Sequence, residues 1–217
     1  MKIVNLTACY GDKKIFDNLS VEFFDGQITC ILGASGAGKT TLLRCIANLK
    51  EYTGEIDKNS ISYVFQEPRL IGRLTVKENL KLVGISDEEI LVGLKKIKML
   101  DKINSYPSEL SGGEKQRVNF LRAVYFPSEV IVMDEPFSSL DIKTKIELIN
   151  DFISLWQENK KTVIFVTHDI EETLMLAKRA IVLKGGKVSF EIEIEKDYPR
   201  EYYDNEKERK LLFSALV

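Results

Sequence analysis

The sequence predicts an α/β fold built on a largely parallel sheet, and two observations predict it. Short apolar, β-branched runs recur at residues 28–32, 61–65, 130–133 and 163–166, each followed by a polar or Gly-containing turn, which is the pattern of strands buried on both faces. Stretches with helical periodicity lie between them, so successive strands are joined by crossovers and run parallel.

In chain order the pattern gives a strand at 28–32, a helix at 40–49 and a strand at 61–65. Helical patterns follow at 76–83, 87–99 and 112–124, then a strand at 130–133, a helix at 143–158, a strand at 163–166 and a helix at 171–177. Alternation fails between Leu74 and Tyr125, which reads as a helical insertion, 74–125, in a core made of 1–73 and 126–217. Near the C-terminal end, RAIVLKGGKVSFEIEI holds two strand-like runs around Gly185-Gly186, a hairpin signal, and residues 206–216 read as a short helix.

A chain of 217 residues with 44% hydrophobic content suits one domain with a sizeable core. Its 31 basic and 33 acidic residues nearly balance, and no dense Lys/Arg block marks a nucleic-acid footprint, so no nucleic-acid partner is expected. Cys9, Cys30 and Cys45 show no paired spacing and lie in or beside apolar segments, as small buried hydrophobes in a reducing cytosol would. The first residues show no secretory leader, and no apolar run approaches the ~20 residues that span a bilayer. Any action at a membrane therefore calls for spans from another chain.

GASGAGKT, residues 33–40, carries the chemistry. Gly33, Gly38, Lys39 and Thr40 fit G-x-x-x-x-G-K-[ST], between a strand and a helix. Gly33, Gly36 and Gly38, with Ala34, Ser35 and Ala37 between them, let successive N–H groups point into one concavity at a helix start, where Thr41 follows. Such a cradle suits a polyphosphate, with Lys39 reaching the β- and γ-phosphates and the Thr40 hydroxyl on Mg²⁺. VIVMDEP ends a second strand in Asp134, a support for the metal, and Glu135, placed as general base for an attacking water.

LSGGEKQR, residues 110–117, makes the resemblance specific: the chain resembles an ATP-binding cassette (ABC) ATPase over nearly its whole length. Tyr10, the phosphate loop, Gln66 after ISYVFQ, the signature at 110–114, Asp134-Glu135, SSLD at Ser138–Asp141 and His168 after VIFVT occur in the family's order. The resemblance implies a P-loop NTPase (RecA-like) core with an N-terminal antiparallel β portion and an inserted helical subdomain. It also implies head-to-tail cassette dimers holding ATP and Mg²⁺ in shared sites. Ser111, Gly112, Gly113 and Glu114 of one copy would cap the γ-phosphate held by the other, and Asp141 would couple the two sites. Tyr10 would stack on adenine, Gln66 would contact Mg²⁺ or the attacking water, and His168 would bond the γ-phosphate beside Glu135 and Lys39.

FQEPRLIGRLTVKENL and VTHDIEETLMLAKRAIVL are similar to segments of importers for nitrate, sulfonates and taurine. Departures are Gly72-Arg73, where those importers commonly carry Pro-Trp, and VNFLRAVYF, where an Ala-rich run is common. The resemblance implies ATP hydrolysis coupled to import at the cytoplasmic face of a membrane. Permease subunits would dock on Gln66–Val76 and the helical subdomain, and a solute-binding protein would act indirectly. The chain stops too early for the extra β-domain of sugar importers. The alternative is a cassette driving a non-transport or export machine of cell-division or lipoprotein-release type.

Overall fold

The computed structural model describes residues 1–138, 140–203 and 205–217. Nine strands are described: β1 (Lys2–Tyr10), β2 (Lys13–Glu22), β3 (Ile28–Leu32), β4 (Thr53–Ile56), β5 (Ile61–Val64), β6 (Val130–Asp134), β7 (Thr162–Thr167), β8 (Arg179–Lys184) and β9 (Lys187–Glu193). The helices are α1 (Lys39–Ile46), α2 (Val76–Lys81), α3 (Asp87–Lys96), α4 (Gly112–Tyr125), α5 (Ile142–Asn159), α6 (Ile170–Leu176) and α7 (Glu206–Leu216).

A six-stranded sheet of order β5-β6-β7-β3-β8-β9 forms the centre, parallel from β5 to β8, with β9 added antiparallel through the Gly185-Gly186 turn. Every residue of β3 and β7 is buried, as continuous apolar runs require. The two-residue period of the strands then sorts the core into two layers. Ile28, Cys30 and Leu32 pack with Phe120, Phe152 and Leu174 of α4, α5 and α6. Ile31 faces the other way, toward Leu42 and Leu43 of α1 and toward Ile3, Leu6 and Phe16 of a three-stranded antiparallel sheet, β2-β1-β4. That sheet is the antiparallel β portion that the resemblance implied.

Parallel strands with crossovers and the C-terminal hairpin agree with the predicted pattern; the element ends do not all agree. Helix α1 ends at Ile46 rather than 49, because Asn48 takes φ 54° and turns the chain. Helix α3 ends at Lys96 rather than 99, with Lys98 at φ 54°. Between β5 and β6 the described residues form helices and two short 3₁₀ turns, Leu100–Lys102 and Pro107–Glu109. Thr75, Ser86 and Ser111 each cap a helix there, with Glu78, Glu89 and Glu114 returning the bond to the cap's own N–H, so three Ser/Thr-x-x-Glu boxes set the starts of α2, α3 and α4.

Asn79, fully buried, pins the segment ahead of α2. Its Oδ1 accepts from Ile71 N at 2.7 Å, and its Nδ2 donates to the carbonyls of Ile71 (3.2 Å), Leu74 (3.0 Å) and Thr75 (3.0 Å). Asn79→Ala leaves several backbone groups without partners in a place water reaches poorly. The expected destabilisation is about 2–4 kcal/mol. A melting curve of the variant should fall by roughly 4–16 °C, and an unchanged melting temperature would remove Asn79 as the pin.

Candidate functional site

The parallel strands deliver their C-terminal ends to one edge, where loops after β3, β6 and β7 meet. Gly33 leads out of β3 so close to β8 that a Cβ there would sit 2.7 Å from the Leu183 carbonyl oxygen. Gly38 holds φ 99° against Phe16 and Ile15, each 2.8 Å from where its Cβ would be, so the loop closes only with glycine there. Gly38 precedes helix α1 and offers no side-chain cap, leaving first-turn N–H groups for an anion.

A cleft of about 380 Å³ lies over this loop, lined by Tyr10, Lys13, Ile15, Ser35, Gly36, Gly38, Lys39, Thr40, Thr41 and Glu135. The Lys39 ammonium folds back over the loop and donates to the carbonyls of Gly33 (2.7 Å) and Ala34 (3.2 Å). Burial pushes it below the usual lysine range, while the Glu135 carboxylate pulls the other way. Ala34 and Ala37 face a second cleft of about 250 Å³ behind the loop, closed by Val182–Gly185 and by Ala215 and Leu216 of α7.

Thr40 Oγ1 donates to Asp134 Oδ1 at 2.8 Å, and the Tyr63 hydroxyl donates to Asp134 Oδ2 at 3.3 Å. Burial, then the Asp134 carboxylate, raises the Tyr63 pKa. Thr40 and Asp134 are hard oxygen donors side by side, and no group of three or more His, Cys, Asp and Glu placed to hold a metal gathers among the described residues. This donor set fits Mg²⁺, which keeps waters and phosphate oxygens, rather than an all-protein cage.

Glu135 adopts φ 45°, an uncommon left-handed conformation for a residue with a side chain. Its N–H donates to Val166 O at 3.1 Å and its carbonyl accepts from Ser138 N at 3.2 Å, so the main chain is tied on both sides. The carboxylate lines the cleft with Oε2 3.3 Å from His168 Nδ1, and the His168 side chain is 67% exposed. Tyr10, half exposed, carries the Lys50 ammonium 4.1 Å over its ring, and Lys50 belongs to a separate depression with Thr7–Cys9 and Glu51–Thr53.

The remaining predicted residues lie elsewhere on this chain. Gln66 donates through Nε2 to Ser138 Oγ at 3.2 Å and lines a further cleft of about 260 Å³ with Glu67, Pro68, Gly112, Gln116, Pro136 and Leu140. Ser111 and Glu114 are engaged with each other as the cap of α4, Gly113 lies against Thr144, and Asp141 caps α5 through Thr144. None of Ser111, Gly112, Gly113, Glu114 and Asp141 lines the phosphate-loop cleft of its own chain. Ser139, inside the predicted SSLD motif, lies outside the described residues. Val76, the predicted end of the docking segment, is the fully buried first residue of α2; Ile71–Arg73 are exposed and Leu74 and Thr75 half-buried.

Sequence reasoning missed Lys13 and Ile15, which follow Tyr10 into the cleft at the start of β2, and Tyr63, the hydroxyl on Asp134. The lysine-rich GDKK turn next to Tyr10 was the available signal for Lys13. Cys30 and Cys45 are buried as predicted, whereas Cys9 is only half-buried.

The family model described as ABC transporter matches residues 16–138, more than half of the chain. The aliphatic sulfonates import ATP-binding protein SsuB 2 of Streptomyces avermitilis is 34% identical over 212 residues, covering 94% of this chain and 84% of that relative. The spermidine/putrescine import ATP-binding protein PotA of Haemophilus ducreyi is 36% identical over 236 residues, covering 99% of this chain and 62% of that protein. Among solved structures, a dimeric post-hydrolysis state of an ATP-binding cassette bound to ADP and Pi matches with TM-score 0.75 and 30% identity, over 90% of this chain and 99% of the other. With a phosphate loop, an Asp-Glu pair and a lone histidine gathered at one sheet edge, the chain belongs to the ABC transporter family, as one of its ATP-hydrolysing cassettes.

Proposed function

We propose that the chain is the energy-coupling subunit of an importer for a small solute of the sulfonate, nitrate or taurine kind, working as a head-to-tail cassette dimer on membrane permease subunits. The observation that carries this reading is the one cleft that collects Tyr10, Ser35–Thr41 and Glu135, with Thr40 bonded to Asp134 beside it. Import rather than another membrane task is supported by the import ATP-binding proteins among the relatives and by QEPRL at 66–70.

In this reading Lys39 exchanges the carbonyls of Gly33 and Ala34 for the β- and γ-phosphate oxygens, and the loop N–H groups hold the rest. Adenine stacks on the face of Tyr10 opposite Lys50. Thr40 and Asp134 would hold Mg²⁺, which would supply neutralisation of the phosphoryl charge. Glu135 accepts a proton from the attacking water, and His168, beside its carboxylate, bonds the γ-phosphate. Ser111 and the N–H groups of Gly112 and Gly113 close the site from the second copy, since they lie outside the cleft of their own chain.

Gln66 stands between the hydrolysis site and the docking segment. A shift of Gln66 toward the γ-phosphate breaks its bond to Ser138 and moves Pro68–Thr75. Arg122, on the last turn of α4, donates to Arg69 O at 3.0 Å, so residues 74–125, the proposed lever, follow that movement.

The test is capture of this chain from detergent-solubilised membranes of its native cell, with sequencing of the membrane protein that accompanies it. A permease of several spans is the expected companion. A companion with few spans and a large outer domain, or a division protein, overturns import in favour of a mechanical machine.

A further inference from the structure

Behind His168 lies a charge cluster that the nucleotide chemistry does not use. Lys145, one turn into α5 and only 13% exposed in its side chain, places Nζ 2.7 Å from Asp169 Oδ2 and 2.6 Å from Glu172 Oε1. Glu172 is buried, and its other oxygen accepts from Thr167 Oγ1 at 2.5 Å. Asp169 uses its other oxygen to cap α6 through Glu171 N at 2.8 Å, and its own N–H donates to Thr167 Oγ1 at 3.1 Å. The turn that carries His168 is therefore held on both flanks, at Thr167 and Asp169, by bonds that converge on one ammonium.

The same lysine belongs to the turn that Asp141 caps. Lys145 N donates to Asp141 O at 2.9 Å, while Asp141 Oδ1 accepts from Thr144 N at 3.0 Å. Two loops separated widely in sequence thus share one rigid joint. A buried cation with two carboxylates gives little net stability over an apolar packing, but removing one member leaves uncompensated charge, so such clusters fix geometry more than they add energy.

We propose that Lys145 is a positioning residue for hydrolysis: it locks the Thr167–Asp169 turn to the start of α5, holding His168 against Glu135 and making the Asp141 and His168 turns move as one body. The proposal rests on the reading of His168 given above. Lys145 touches no reacting atom itself.

The test has two readouts. His168 is the one histidine of the chain, so its imidazole Cε1–H resonance in untagged protein needs no assignment strategy. Lys145→Met should move that resonance toward the position of a free histidine, and Lys145→Arg should return it. In the cassette assembled with its permease, Lys145→Met should lower kcat about tenfold or more with KM for ATP within about twofold. Lys145→Arg should recover most of the loss, and Lys145→Met added to His168→Ala should cost little further. An unmoved resonance, or a loss of kcat that simply adds to that of His168→Ala, overturns the proposal. Full kcat in His168→Ala would instead remove the role assigned to His168, a separate result. If Lys145→Met does not fold, Lys145→Gln with Glu172→Gln removes the ammonium together with the more buried of its two carboxylates and is judged by the same readouts.

Discussion

Glu135→Gln should bind ATP as the parent does and turn it over about 100-fold or more slowly, the range for loss of a general base. The amide keeps the shape of the carboxylate and its place in the cleft but accepts no proton from water. The main chain, bonded at Val166 and Ser138, fixes that place independently of the side chain's charge. In the proposed head-to-tail dimer hydrolysis would reopen the shared site, so the variant should accumulate as a dimer when ATP saturates it. Size-exclusion chromatography with and without ATP reads this directly. A variant that stays monomeric with saturating ATP and its permease present would argue against shared sites, and undiminished turnover would remove Glu135 as the base.

Lys39→Ala should lose the nucleotide itself. A charge-assisted hydrogen bond is worth about 1.5–3 kcal/mol, so removing the ammonium from the phosphates should weaken ATP binding by roughly 10- to 150-fold. The loop carbonyls of Gly33 and Ala34 lose their partner as well, the Gly33 bond being buried and the Ala34 bond only partly so. A melting curve reads the loss of those bonds and fluorescent-nucleotide titration the loss of affinity, so the two effects separate. Unaltered affinity would mean that Lys39 stays on the carbonyls throughout the cycle.

The parallel strands were legible because each is a run of β-branched residues buried on both faces, and the phosphate loop because its glycines have a spacing no ordinary turn needs. Strands β1, β2 and β4 could be expected only from the family resemblance, not delimited. Register shifts after Ile3, Leu6 and Ala8, with Asn5 and Asn18 at positive φ, break the two-residue period that would have marked them. Helix ends slipped at Asn48 and Lys98, where a non-glycine residue took the left-handed turn, whereas α7 begins where predicted although Asn205 turns the same way. Tyr63 and Lys145 gave no signal because their roles depend on which strand or helix packs beside them: Tyr63 meets Asp134 only when β5 pairs with β6, and Lys145 meets Asp169 only when α5 lies along α6. Ser111 shows the opposite limit. Its hydroxyl caps α4 in the isolated chain, so whether it also faces a phosphate depends on a second molecule.

Asn79 bears on how the chain would meet a partner. A loop that is loose before docking gives up conformational entropy on association, and slack in it absorbs movement. The stretch from Ile71 to Thr75 is instead stapled to α2 from beneath by one buried amide. A partner seated there, as proposed, would meet a preshaped surface, so little affinity would be lost to ordering it, and a displacement entering at Gln66 would be passed on whole instead of being taken up as slack.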